Sequence, residues 1–204
     1  RGRRIRVPIG GAFNVSNSLA AATTASVLGV DDADIAGAIE TVQPVPGRFE
    51  AVSVGQPFHV LVDYAHTPDG LEAVLRTARA GSVSGRLLVV FGCGGDRDRE
   101  KRPMMGAAAC ALADLVVVTS DNPRTEEPRT IIDDILSGVS SDDRARVIVE
   151  PDRATAMEAA FRLARDGDIV VLAGKGHENT QTIGTTVLPF DDRVMARRIL
   201  EALQ

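Results

Sequence analysis

The chain has no tryptophan, a single tyrosine and only 3% aromatic residues, so its interior must be built from aliphatic side chains. Its two cysteines, Cys93 and Cys110, are too few for a disulfide framework. Three scattered histidines cannot join them in a CxxC-type zinc site, and both thiols read as small buried side chains in a reducing compartment. No apolar stretch approaches the roughly 18 residues that a membrane span needs, and no signal-peptide pattern opens the chain. A cytoplasmic protein with no membrane partner is expected. Acidic residues outnumber basic ones, 28 to 23, and no long Lys/Arg run interrupts the mixture, so nucleic acid is not the expected partner. The spacing GxxxxGK[ST] occurs nowhere, which excludes a self-contained P-loop nucleotide site. Internal repeats and low-complexity segments are absent as well.

What remains is a chain of 204 residues with 44% apolar composition, enough for one large or two small domains. A first helix is predicted over Asn17–Leu28, capped by Ser16 or Asn17 and packed closely through its alanines. A second is predicted over Asp32–Val42, with Ile35, Ala38, Ile39 and Val42 at helical spacing. Pro44-Val45-Pro46-Gly47 then forbids helix continuation. The domain boundary is placed there, dividing residues 1–45 from residues 46–204. The apolar pattern starts at Arg1 with no leader, so the chain is expected to be the back part of a longer polypeptide.

After the boundary, short β-branched runs alternate with amphipathic helices. The runs are Val60–Val62, Leu87–Phe91, Leu115–Thr119, Val147–Val149 and Ile169–Leu172. Continuous apolar runs of this length suit strands buried on both faces, the mark of a parallel sheet. Between them lie helical faces Leu71/Val74/Leu75/Ala78, Ile131/Ile132/Ile135/Leu136 and Met157/Ala160/Phe161/Ala164. The predicted fold is α/β, a Rossmann-like doubly wound and mostly parallel sheet with helices on both faces, closed by a helix over Asp191–Leu203. Thr180–Leu188, with Gly184 central, reads as a hairpin.

Polar residues follow the strands: Asp63–Pro68, Gly92–Pro103, Ser120–Pro128 and Gly174–Gln181. In an open α/β sheet such loops gather at the carboxyl edge, where ligands bind. In GCGGDRDREKRP, glycines allow close backbone approach, and Arg97, Arg99, Lys101 and Arg102 point to an anionic ligand. The alternative is a solvated loop whose cations pair with Asp96, Asp98 and Glu100. In SDNPRTEEP, Asn122 and Arg124 flank Pro123, a rigid fork beside an amide that suits a carboxylate. The alternative is a turn and a helix N-terminus, with Arg124 pairing Glu126 or Glu127. The loop AGKGHENTQ carries Lys175, His177 and Glu178. His177 reads as a local hydrogen-bonding residue or a general base, His59 as structural, and His66 as the histidine best placed at a site.

Seven motifs in order, FNVSN, PGRFE, DYAHTP, GCGGDRDREKRPMMG, SDNPRTEEP, AGKGHE and PFDDR, resemble the Mur ligases along essentially the whole chain. The resemblance implies a C-terminal Rossmann-like domain over residues 46–204 and, over residues 1–45, the end of a central ATPase domain. The family's UDP site, P-loop, magnesium ligands and carbamylated lysine would lie outside this sequence, so the chain alone is expected to be inactive. It also implies ATP and Mg2+ as cofactors, with ATP activating the D-Glu side carboxylate as an acyl phosphate for attack by an amine. Asn17 would approach the adenine, Arg48 the phosphates and Asp63 the ribose, with His66 beside them. DNPR resembles the branch that adds meso-diaminopimelate to UDP-MurNAc-L-Ala-D-Glu. On that resemblance the amino acid meets Arg97, Asp121, Asn122, Pro123, Arg124, Gly174 and Glu178. A monomer is expected. The other readings are a non-catalytic binding module and a lysine-adding or folylpolyglutamate-type ligase.

Overall fold

A computed structural model describes residues 4–81 and 85–204, so residues 1–3 of the first predicted domain lie outside it. Two units are present, Arg1–Pro46 and Gly47–Gln204.

The first unit holds α1 (Ala12–Val27) and α2 (Asp32–Glu40). α1 starts well before the predicted Asn17, because Gly11, at φ 96°, turns the chain into the helix without a side-chain cap. Ser16 and Asn17 therefore lie inside the helix, and Asn17 spends its amide on Asn14 Oδ1 at 3.3 Å. The close packing expected of its alanines is not found, since no residue of α1 is buried. Val15, Leu19, Val27 and Leu28 stand exposed. α2 is capped by Asp31, whose carboxylate accepts the Ala33 N–H at 2.7 Å, and it stops at Glu40 rather than Val42.

The second unit runs β1 (Glu50–Val52), β2 (His59–Asp63), α3 (Pro68–Gly81), β3 (Leu87–Phe91), α4 (Lys101–Leu112), β4 (Leu115–Val118) and α5 (Pro128–Leu136). A 3-10 turn over Asp142–Arg146 leads into β5 (Val147–Val149), followed by α6 (Arg153–Leu163), β6 (Ile169–Ala173), β7 (Thr180–Ile183), β8 (Thr186–Pro189) and α7 (Asp192–Ala202). The main sheet has the order β1-β2-β6-β3-β4-β5. β2, β6, β3, β4 and β5 are parallel, and only β1 is antiparallel, pairing Glu50 with Val62 and Val52 with Val60. β1 is too short to have shown a period in the sequence. β7 and β8 form the predicted hairpin.

Helices cover both faces. Leu87, Val89 and Phe91 of β3 pack with α3, α4 and α5 through Leu71, Leu75, Met105, Ile132 and Ile135. The alternate residues Leu88 and Val90 pack with α6 and α7 through Met157, Phe161, Ala196 and Leu200. One strand thus belongs to two cores, which explains an apolar run without alternation. His59, read as structural, is the exposed first residue of β2. Among the described residues no helix is long and apolar enough to cross a membrane.

Beneath the carboxyl edge lies an ion pair with no exposure at either side chain, Arg153 with Asp192 at 2.6 Å. Arg153 also donates to the carbonyls of Ala173 at 3.0 Å and Ser120 at 3.4 Å, tying the ends of β6 and β4 to the start of α7. Burial alone would disfavour the guanidinium charge, but the Asp192 carboxylate more than offsets it and the Arg153 pKa is raised. Replacing Asp192 by Asn strands a buried cation, at a cost of about 3–5 kcal/mol. Scanning calorimetry should then show the melting temperature falling by roughly 10 °C; an unchanged melting temperature contradicts the assignment.

Candidate functional site

Because the strands are parallel, the loops after β2, β3, β4 and β6 converge at one edge. They enclose a cleft of about 420 Å³ lined by residues including Tyr64, His66, Arg97, Lys101, Asp121, Asn122, Arg124, Gly174 and Glu178. The cations of the Gly92–Pro103 loop divide into two sets. Arg102 is fully buried and pairs with Glu126 at 2.7 Å and Asp134 at 2.8 Å. Arg99 pairs with Asp134 at 3.0 Å. Arg97 and Lys101 are left to the cleft wall, where Lys101 Nζ donates to the His66 carbonyl at 2.7 Å. The internal ion pairs expected of a solvated loop therefore account for Arg99 and Arg102 only.

Glu126 serves Arg102 rather than Arg124. Its Oε1 also accepts the Asp96 N–H at 2.7 Å, and the Arg102 guanidinium draws its pKa from 4.5 down to about 2. Arg124 is instead clasped by the hairpin. Its N–H donates to Thr182 O at 3.0 Å, and its carbonyl accepts from Gly184 N at 2.6 Å. The clasp holds Arg124 at φ 52°, a left-handed conformation uncommon for a residue with a side chain. Its Nη1 donates to Gly95 O at 2.7 Å, which lays the guanidinium along the cleft. Gly94 makes room for it: a Cβ there would stand 2.8 Å from Arg124 Nη1.

Asn122 is buried, and both hydrogens of its amide are committed, to Asp121 Oδ1 at 3.0 Å and Glu178 Oε2 at 2.8 Å. It is therefore not the free donor for a carboxylate that the sequence suggested. Asp121 is buried too, and desolvation raises its pKa against the pull of Arg153 and Lys175. Gly174, at φ 114°, lines the cleft, whereas Pro123 is buried without lining it. Cys93 sits at the floor with its thiol pushed up to about 12 by burial, an unreactive group.

The residues assigned to a nucleotide belong to both units. Asn17 belongs to the first unit. Arg48 is exposed and stacks its guanidinium 4.7 Å from the centre of the Tyr64 ring, which also packs against His66 at 4.6 Å and His177 at 5.1 Å. His66 lines the same cleft as the residues assigned to the amino acid. The Asp63 carboxylate, expected at a ribose, accepts the Phe49 N–H at 2.8 Å on Oδ2 and the Ala65 N–H at 2.8 Å on Oδ1. Its observed work is to join the PGRFE and DYAHTP loops, and burial raises its pKa. Arg48, His66 and His177 thus gather around the one tyrosine ring. Among the described residues no group of three or more His, Cys, Asp or Glu is arranged to hold a metal. Tyr64 and Lys175 are the two contributors that sequence reasoning left without a role; their signal was only that they adjoin motif residues.

A family model described as the Mur ligase glutamate ligase domain matches residues 47–176, and the chain belongs to the Mur ligase family. It is 50% identical over 196 residues to the UDP-N-acetylmuramoyl-L-alanyl-D-glutamate–2,6-diaminopimelate ligase of Syntrophomonas wolfei, covering 96% of this chain and 40% of that protein. The same-named ligase of Solibacter usitatus is 51% identical over 197 residues, covering 97% and 40%. A solved structure of a ligase of that name superposes with a TM-score of 0.75 at 42% identity over 98% of this chain and 40% of that one. The chain thus spans about 40% of the length of the curated relatives it matches. The UDP-N-acetylmuramate-alanine ligase of Thermotoga maritima, at 23% identity and a TM-score of 0.68, shares the fold.

Two outcomes follow from the cleft walls. A Cβ at Gly95 would meet the Pro123 carbonyl oxygen at 1.8 Å, whereas one at Gly94 meets side chains, the far end of Arg124 at 2.8 Å from Nη1 and Arg97 Cγ at 3.6 Å. Gly95→Ala should cost about 1–3 kcal/mol or more, and Gly94→Ala well under 1 kcal/mol; melting curves in the reverse order would contradict this packing. The Glu126 carboxylate has a folded pKa below its unfolded one, so its stabilisation is complete above 4.5 and lost as the pH falls toward about 2. Urea titrations across that window should show Glu126→Gln with a shallower loss of stability than wild type. Parallel curves for the two proteins would remove Glu126 as a contributor.

Proposed function

We propose that Gly47–Gln204 is the part of a diaminopimelate-adding Mur ligase that receives the incoming amino acid. The observation that carries this reading is the charge arrangement of the cleft: Arg97, Lys101 and Arg124 along its wall, Asp121 and Glu178 at its floor. Diaminopimelate has two carboxylates and two ammonium groups, and a cleft with separate cationic and anionic sides complements both. About half of the residues are identical to those of the two relatives over nearly the whole chain, and those relatives are named for diaminopimelate. In the complete enzyme ATP would activate the D-Glu side carboxylate of UDP-MurNAc-L-Ala-D-Glu, and this segment would hold the amine that attacks it. Catalysis of this kind rests on positioning and charge stabilisation. Arg48, Asp63, His66 and, from the first unit, Asn17 are proposed to border the nucleotide, with Asp63 acting through the Phe49 loop it holds. Arg1–Pro46 is proposed as the end of the central ATPase domain, which gives its exposed Val15, Leu19, Val27 and Leu28 a surface to cover.

Arg124 is assigned to the distal carboxylate, the group that lysine lacks. Calorimetric titration of the 204-residue chain should show diaminopimelate binding better than lysine. Arg124→Ala should weaken diaminopimelate by about 2–4 kcal/mol, roughly 30- to 1000-fold, and lysine far less. An unchanged ratio between the two amino acids overturns the carboxylate-reading role. The same chain should release no phosphate from ATP in the presence of diaminopimelate, since it has no P-loop.

A further inference from the structure

Lys175 follows the cleft-lining Gly174 yet does not itself line the cleft. Its side chain has no exposure. Gly174 and Gly176 on either side take φ 114° and 51°, so the chain reverses tightly and the lysine points inward. An ammonium group has three hydrogens to donate, and three acceptors surround this one. They are Thr180 O at 2.6 Å, Asn122 Oδ1 at 3.3 Å and Glu178 Oε2 at 3.3 Å. A buried cation so fully engaged has no donor for a ligand, and burying it would be costly without those acceptors.

We propose that Lys175 is a positioning residue for the amino-acid site, orienting the Asn122 amide and tying down Glu178 so that the cleft floor presents two carboxylates to a ligand ammonium. The proposal rests on the reading of the cleft as an amino-acid site. An asparagine amide can be placed either way round, and its neighbours decide. Asn122 Oδ1 receives the Thr182 N–H at 3.0 Å as well as the Lys175 ammonium. The reverse placement would set an NH2 group against two donors. Nδ2 is therefore directed at Asp121 and Glu178, and one amide holds both acids in register. The charges complete the argument. The floor sets two carboxyl groups, Asp121 and Glu178, about one amide and against the one ammonium of Lys175, and an ammonium of the ligand adds a second cation beside them. Without Lys175 the two acids would repel each other across an amide whose oxygen is held by Thr182 alone, and the floor would lose its geometry for an ammonium while the Arg97 and Arg124 wall stayed intact.

The test compares meso-diaminopimelate with pimelate, which has the same carbon chain and both carboxylates but no amine. Calorimetric titration of the 204-residue chain should show wild type preferring diaminopimelate. In Lys175→Met that preference should fall at least tenfold, with pimelate affinity changed less than threefold. Equal weakening of both ligands, as a purely structural role would give, overturns the proposal, and so does an unchanged preference. Lys175→Arg keeps the cation and should keep most of the preference, so the question stays answerable if the methionine variant fails to fold; a folded arginine variant without preference also overturns it. If wild type itself does not favour diaminopimelate, the ligand reading has failed. NMR of the ligand-free wild-type chain then decides the positioning alone, through slow solvent exchange of the Asn122 side-chain amide and a protected Lys175 ammonium signal. Rapid exchange at both sites counts against it.

Discussion

Parallel pairing is the constraint on which the rest of this structure depends. Five strands run the same way, so the backbone must leave each at one edge and return along a helix to the other. The four polar loops that follow β2, β3, β4 and β6 are thereby delivered to the same side of the sheet, from four separate stretches of sequence. The cost is that the strand ends and the loops above them bury polar and charged groups, each of which has to find a partner.

Three buried cations supply much of that partnering. Arg153 fastens the ends of β4 and β6 to α7 through Asp192. Arg102 fastens the loop after β3 to the loop after β4 through Glu126. Lys175 fastens the loop after β6 to Asn122. None of the three needs to reach the cleft, and each fixes residues that do. Arg97 and Arg124 can remain available to a ligand because Glu126 and Asp134 are already engaged by other arginines.

The hairpin shows how a peripheral element can set the chemistry of a central one. β7 and β8 add nothing to the main sheet. Their backbone nevertheless grips Arg124 on both its N–H and its carbonyl, and this grip holds it in a left-handed conformation. Pro123 before it and the hairpin after it leave the side chain little choice but to lie along Gly94 and Gly95. The Asp63 carboxylate does the equivalent for the other side of the edge, where it receives two backbone N–H groups and keeps the Phe49 and Ala65 turns together.

The strands β2 to β6 and the apolar faces of α3, α5 and α6 were legible in the sequence, because burial on one or two sides imprints a period that a run of residues cannot hide. The four polar loops and their meeting at one edge were legible for the same reason: order along the chain and strand direction decide it. The start of α1 was not, since a glycine turn rather than a capping side chain opens that helix. Nor was β1, whose three residues are too few to carry a period. Within the site, the sequence determined which charges would be present, and tertiary structure alone decided which of them face the cleft. Arg97, Arg99, Lys101 and Arg102 look equivalent in a row of residues, yet only the packing of α4 against α5 brings Asp134 and Glu126 within reach of two of them. Asn122 looked like a donor awaiting a ligand until Thr182 and Lys175, distant in sequence, fixed which end of its amide points where. Hydrogen bonds are short and directional, so partners brought together by the fold set the orientation of a polar group that sequence spacing leaves open.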